Sequence, residues 1–193
     1  PMMIRPLLAA LALVASPLVH AQNAQALAND AVTPGDVLTY GMGYNNQRYS
    51  PLKQINTRNA GKLQPVWAYS LNNPQSQESQ PIVHNGVMYV TTHNTTVAIN
   101  PVTGKQIWKQ EIELPQDVFK MACCGILNRG AAIDDGKLFR STLDAHVVAL
   151  DAKTGKLLWK SKAADYQNGQ AMTSAPLIAN GVVCVAEGAN MPS

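Results

Sequence analysis

One stretch of this sequence occurs twice. V-A-I-N-P-V-T-G-K-Q-I-W-K at 97–109 matches V-A-L-D-A-K-T-G-K-L-L-W-K at 148–160, so that Gly104 and Gly155, like Trp108 and Trp159, lie 51 residues apart. A third copy, N-A-G-K-L-Q-P-V-W, ends at Trp67. A second element also recurs, as Q-P-I-V-H-N-G-V-M-Y-V at 80–90 and A-P-L-I-A-N-G-V-V-C-V at 175–185, with a looser version over Gly130–Phe139. Repetition at a fixed period means that one supersecondary unit is stacked on copies of itself.

The unit is a strand, an Asn-Gly or Asp-Gly turn, a strand, a third strand, a Thr-Gly-Lys turn, and a last strand ending at Trp. Asn85-Gly86, Asp135-Gly136 and Asn180-Gly181 are hairpin signals, because the tight turn that matches strand twist needs positive φ at both central residues. Four short strands in about 40–50 residues make a propeller blade. The expected fold is therefore all-β, a partial β-propeller, with each tryptophan closing a blade edge against its neighbour. Unrelated hairpins in a sandwich would not repeat a segment at matched offsets. Residues 37–193 hold about three such units, and a propeller closes its ring with roughly four to eight blades, so the chain is expected to be incomplete or to assemble with something else.

The 193 residues carry a formal charge of +3, with 14% charged residues. The small excess is scattered and forms no basic stripe, so no nucleic-acid partner is implied. Arg5 precedes an apolar run from Leu7 to Val19, followed by Val19-His20-Ala21. This has the form of a secretory signal peptide over 1–21. The alternative, a membrane anchor, is disfavoured because the run of about 13 residues falls short of the ~18 that span a bilayer. Export would place the mature chain in an oxidising compartment where cysteines can pair. Residues 22–36 are small and polar, and are expected to form a lead-in segment. Cys184, alone in an apolar strand-like run, is expected to be a buried small hydrophobe. His84, His93 and His146 lack metal-ligand spacing and are expected to be structural. Asp144 and Asp151 are expected to serve turns.

The segment T-Y-G-M-G-Y-N-N-Q-R-Y-S-P-L-K-Q-I-N at 39–56 resembles the opening of mature pyrroloquinoline-quinone (PQQ) alcohol dehydrogenases of the methanol/ethanol type. The repeat A-x-D-A-K-T-G-K-x-x-W also resembles that family. The resemblance covers residues 37–185, about a third of a family member. It implies an eight-bladed propeller with the quinone on its axis. It further implies periplasmic oxidation of primary alcohols to aldehydes, a Ca²⁺ or lanthanide ion beside the PQQ, and electron transfer to a c-type cytochrome. A homodimer of the full-length protein is compatible with it.

Four features carry the resemblance toward the cofactor. Cys123 and Cys124 are adjacent; the family joins this pair in a disulfide lying against one face of the quinone. Such a bridge is unusual, since neighbouring Cα atoms are ~3.8 Å apart and disulfides ordinarily span about 4.4–6.8 Å. Arg129 follows Cys124 by five residues, the family's offset for an arginine on the cofactor. Glu78 in Q-E-S-Q-P and Thr173 in M-T-S-A-P each stand three residues before a proline that opens a repeat. The family has a glutamate near PQQ at the first place, and a threonine on a PQQ carboxylate at the second.

After Val185 the resemblance ends: the chain reads A-E-G-A-N-M-P-S, and Glu187 is not at the offset of the family's metal-binding glutamate. A one-base frameshift near codons 186–189 and an arbitrary truncation are both open. The catalytic base and the metal ligands are expected outside this chain, which alone is expected to be inactive. Two other readings compete. One is a non-catalytic repeat propeller acting as an assembly scaffold, which gives no reason for adjacent cysteines. The other is a sugar-oxidising quinoprotein, a type that generally lacks the pair.

Overall fold

The computed structural model describes residues 24–33, 35–122, 125–186 and the backbone of 188–189; the expected signal peptide lies outside them. Helix α1 (Ala24–Ala28) opens the described chain, and the first sheet is a meander of β1 (Ile82–His84), β2 (Val87–Thr91), β3 (Thr95–Ile99) and β4 (Gln106–Glu111). A short helix, α2 (Val118–Met121), leads on to a second meander of β5 (Ala132–Asp134), β6 (Lys137–Ser141), β7 (His146–Asp151) and β8 (Leu157–Lys162). Then come β9 (Gln170–Ala171), β10 (Leu177–Ala179), β11 (Val182–Cys184) and β12 (Gly188–Ala189), with β10 paired to β11 and β12 to β9. Among the described residues there are therefore two complete four-stranded blades and the hairpin of a third, as partial-propeller strand order requires.

The turns follow from sequence. Asn85, Asp135 and Asn180 have φ of 49°, 46° and 50°, and each following glycine is also positive, so all three hairpins take the expected turn geometry. In the Thr-Gly-Lys turns, the side chain of Asn100 or Asp151 accepts from the amide three residues on. Thr154 in turn holds the Asp151 carboxyl below the usual carboxylate range, through side-chain and backbone hydrogen bonds.

Both outer strands contain a bulge at the same place. Ile99 pairs with Gln106 and Ala98 with Trp108; Leu150 pairs with Leu157 and Ala149 with Trp159. The extra residue, Ile107 or Leu158, precedes the tryptophan, and a bulge of this kind kinks the strand and re-aims the next side chain. Trp108 then lies on the second blade, its Nε1 donating to the Ala152 carbonyl at 3.0 Å. Trp67 does the same to the first blade, donating to Pro101 at 2.9 Å. The expectation that tryptophans close blade edges holds for these two. The third W-motif does not form a strand, however: residues 64–74 have no sheet partner among the described residues, and only its tryptophan contact is kept.

The core lies between the two sheets and on their inner strands, around Ile82, Tyr89, Ala98, Ile133, Leu138, Val148, Leu150 and Ile178. Arg140, on β6, crosses between blades. It is 1% exposed and donates to the carbonyls of Thr92, His93 and Thr95 and to the Thr96 hydroxyl, at 2.6–3.0 Å. Burial pushes its pKa down to about 10. Burial also lowers that of His93, followed by the charge of Arg140.

Within the lead-in segment, Asp30 is fully buried and its carboxylate accepts from the amides of Leu38 and Thr39 and the Thr39 hydroxyl, each at 2.8 Å. These bonds turn the chain onto β1, where Val37 bridges Val83. Further on, the Tyr44 hydroxyl donates to Ile178 O at 2.7 Å, strapping the opening segment to the third hairpin.

Cys184 corrects an expectation. It is exposed, because β11 pairs with β10 alone and no described strand covers its face.

Candidate functional site

The polar residues of interest lie just before the innermost strand of each blade: Glu78 before β1, Arg129 before β5 and Thr173 before β10. Radial repetition brings these starts to one end of the propeller axis. The backbone stitches them together, with Arg129 N donating to Thr173 O at 2.8 Å and Gln80 N to Arg129 O at 3.4 Å. The side chains then meet. Arg129 Nε lies 3.1 Å from Glu78 Oε2, and one terminal nitrogen donates to Thr173 Oγ1 at 2.5 Å.

Of the five residues singled out from sequence, these three converge, with Arg129 in the middle. The Arg129 and Glu78 side chains are 43% and 45% exposed, so the pair faces solvent. Among the described residues the other terminal nitrogen of the guanidinium meets no acceptor. A planar guanidinium with one terminal nitrogen unengaged is suited to a carboxylate or quinone oxygen.

Cys123 and Cys124, expected to form a disulfide beside this site, lie outside the described residues. The chain approaches them through α2 and resumes at Gly125, whose φ is 112°. Among the described residues, no group of three or more His, Cys, Asp or Glu side chains could hold a metal ion. His84 Nδ1 lies 3.1 Å from Asp36 and His146 Nδ1 3.1 Å from Asp144, which also takes Lys160 at 2.7 Å; each histidine serves the fold.

A cavity of about 610 Å³ opens beside Arg129 and runs along β5 and β10 to Leu27 and Leu38. Its lining is mostly apolar and includes neither Glu78 nor Thr173, so the chemistry sits at its rim, not in its depth. One residue of the site went unnoticed in the sequence. Glu78 and Thr173 each stand eight residues before the glycine of their hairpin, and in the middle blade that position is Asn128, one before Arg129. Aligning the repeats on Gly86, Gly136 and Gly181 would have found it.

Comparison with known proteins agrees with the propeller fold. Residues 38–191 match the family model described as "PQQ: Glucose/ethanol/alcohol dehydrogenase, beta-propeller domain". The chain is 50% identical over 155 residues to a quinoprotein ethanol dehydrogenase of Pseudomonas aeruginosa, covering 79% of this chain and 25% of that protein. It is 47% identical over 155 residues to a 1-butanol dehydrogenase (quinone) of Thauera butanivorans, with the same coverage. Among solved structures, a europium-containing methanol dehydrogenase superposes with a TM-score of 0.80 at 34% identity, over 86% of this chain and 29% of that one. The chain therefore spans about a quarter of the length of the curated relatives named here. The repeats, the blade order and the match over residues 38–191 agree, and the chain belongs to the PQQ-dependent quinoprotein alcohol dehydrogenase family.

Proposed function

We propose that this chain forms one wall of a PQQ site, in a periplasmic quinoprotein that oxidises primary alcohols to aldehydes and passes the electrons to a c-type cytochrome. The observation that carries this reading is the convergence of Glu78, Arg129 and Thr173 from three blades. PQQ is a flat tricarboxylate with an ortho-quinone, and a half-exposed guanidinium with one terminal nitrogen unengaged among the described residues fits such a ligand.

Each side chain has a part that follows from its bonds. The Glu78 carboxylate, 3.1 Å from Arg129 Nε, pairs with the guanidinium charge. Thr173 Oγ1 accepts from the opposite side of the fork, which leaves its own hydroxyl proton to donate to a carboxylate. Arg129 offers its uncommitted N–H donors to the same ligand and supplies the positive charge. Cys123 and Cys124, as a vicinal disulfide, would provide an apolar surface for the ring. When bound, PQQ supplies the two-electron acceptor that alcohol oxidation needs.

A Ca²⁺ or lanthanide ion finds no ligand set among the described residues, so no step is derived through it. Its place in the full-length protein rests on the likeness to a methanol dehydrogenase that contains europium. Glu78 is the only carboxylate of the three, and Arg129 engages it, so a free base for the alcohol proton must come from elsewhere. The chain alone carries the cofactor wall without turnover.

The test is an absorbance titration of the purified chain with PQQ. The expected result is saturable one-to-one binding without alcohol oxidation. Absence of any saturable change would reject the cofactor wall and favour the non-catalytic scaffold.

A further inference from the structure

Asn128 occupies the repeat position that Glu78 and Thr173 hold in the flanking blades, yet its side chain does not join theirs. It is 2% exposed, and its amide is engaged on every side. Oδ1 accepts from the Thr91 hydroxyl of the preceding blade at 2.6 Å and from Gly130 N at 2.9 Å, while Nδ2 donates to Ser141 O at 3.2 Å. The bond to Gly130 N closes an Asx turn, in which a side chain two residues back mimics a backbone turn. Arg129 sits at the corner of that turn. Gly130 completes it with φ of 132°, a conformation that favours glycine, and a Cβ there would lie within ordinary contact distance of Gln80 O and Ala175 Cβ.

The bonds continue in both directions. Gln77 Nε2 donates to Thr91 O at 2.6 Å, and Ser141 Oγ donates to Ser174 O at 2.6 Å. The series Gln77, Thr91, Asn128, Ser141, Ser174 therefore crosses three blades. Gln77, Asn128 and Ser174 are the chain neighbours of Glu78, Arg129 and Thr173. A spine of hydrogen bonds, buried at Thr91, Asn128 and Ser141, runs behind a partly exposed row formed by Glu78, Arg129 and Thr173, one spine residue beside each. The geometry points to Asn128 as the positioning residue of the site. Its amide fixes the Arg129 backbone against the neighbouring blades, so the guanidinium meets Glu78 and Thr173 at constant spacing. Buried networks of this kind hold their members tightly only when every bond is made.

The part of this inference that concerns PQQ affinity rests on the cofactor reading above; the ordering of Arg129 does not. Both can be measured on the chain carrying Asn128→Ala, Thr91→Val or Thr91→Ser. Thr91→Val removes one donor while keeping shape, so it guards against a variant that merely unfolds. The ligand-free readout is the Arg129 Nε–H resonance in ¹H–¹⁵N spectra. Wild type is expected to show it resolved and slow to exchange, Thr91→Val to return it to the free-arginine position, and Thr91→Ser to restore it. In PQQ titrations, losing one buried hydrogen bond should weaken binding about tenfold. In an Arg129→Gln background, Asn128→Ala should add less than about twofold, because coupled residues are not additive. An unchanged Arg129 resonance in both Thr91→Val and Asn128→Ala would overturn the inference. So would an Asn128→Ala effect on affinity that is equal with and without Arg129. If wild type binds no PQQ, the cofactor reading fails, and the resonance still decides the role of Asn128.

Discussion

Trp108 lies against Gly155 of the next blade so closely that a Cβ built on the glycine would stand 2.5 Å from the indole Cε3. Trp67 and Gly104 repeat the contact one blade earlier, where the nearest ring carbon would be 2.6 Å away. The Thr-Gly-Lys turn thus needs glycine twice over: φ is +73° at Gly155, and the preceding blade's tryptophan fills the space its side chain would take.

Substitution separates the two demands. Gly136 has φ of +68° with nothing within 4 Å of a Cβ. Gly136→Ala should therefore cost only the left-handed penalty, about 1–2 kcal/mol. Gly155→Ala should cost that plus the displacement of Trp108, about 1–3 kcal/mol more. Urea unfolding followed by tryptophan fluorescence measures both, and equal losses would mean that the tryptophan contact contributes nothing.

Alkaline pH should weaken the blade interface through Tyr89. Its hydroxyl donates to Ala152 O at 3.1 Å, and burial, with a smaller contribution from the Asp151 charge, raises its pKa to about 12. A folded pKa above the unfolded value of about 10 means that the stabilisation is complete below pH ~10. It is lost as pH rises from there to about 12, because only the unfolded chain ionises in that window. Arg140, whose pKa is lowered to about 10, acts in the opposite sense over the same range, so the comparison must be made between variants. Tyr89→Phe should lose less stability than wild type between pH 10 and 12, by about 1–3 kcal/mol; parallel pH profiles would contradict this.

Arg140 itself should be sensitive to truncation. It brings a charge into the interface to reach three carbonyls and a hydroxyl of the first blade. Removing it strips the Thr92 and His93 carbonyls and the Thr96 hydroxyl of this donor, at about 1–3 kcal/mol each before relaxation, while Thr95 O keeps the Thr92 amide. Arg140→Leu should lower stability by several kcal/mol or prevent folding, and Arg140→Lys, which cannot span all four acceptors, should fall between. Urea titrations of both variants provide the check.

The outermost described strands leave apolar surface uncovered. Trp159 is 41% exposed where the equivalent Trp108 is half-buried, and Leu157, Leu158, Leu177 and Val182 are exposed with it. A patch of this kind drives association. The chain should self-associate with rising concentration in sedimentation velocity, and Leu158→Lys with Trp159→Lys should reduce it. A monodisperse monomer at all concentrations would count against that expectation.

The sequence was legible where it repeats. The Asn-Gly and Asp-Gly pairs gave the hairpins, the matched tryptophans gave the blade contacts, and Glu78 and Thr173 stood at matched places before their repeats, whereas Arg129 came only from its offset to Cys124 in the family resemblance. What could not be read were residues that occur once. Asp30 looks like an ordinary polar residue in a small, polar segment, and only the fold brings the amides of Leu38 and Thr39 to its carboxylate. Arg140 replaces a small apolar residue, Val90 in the first blade, so periodicity argued against a charge there. Cys184 was misread because an apolar strand predicts burial only when a neighbouring strand covers it. Trp67 kept its packing role without its strand, because a motif specifies a contact more locally than it specifies sheet pairing.

The measurement closest to the central claim compares PQQ affinity in Arg129→Gln and Arg58→Gln by calorimetric titration. Both substitutions remove one positive charge from an arginine that is at least partly exposed, and only Arg129 stands between Glu78 and Thr173. Loss of a charge-assisted, two-point contact should weaken binding about tenfold or more in Arg129→Gln, with Arg58→Gln matching wild type. Equal affinities in the two variants would show that PQQ is not held by this wall.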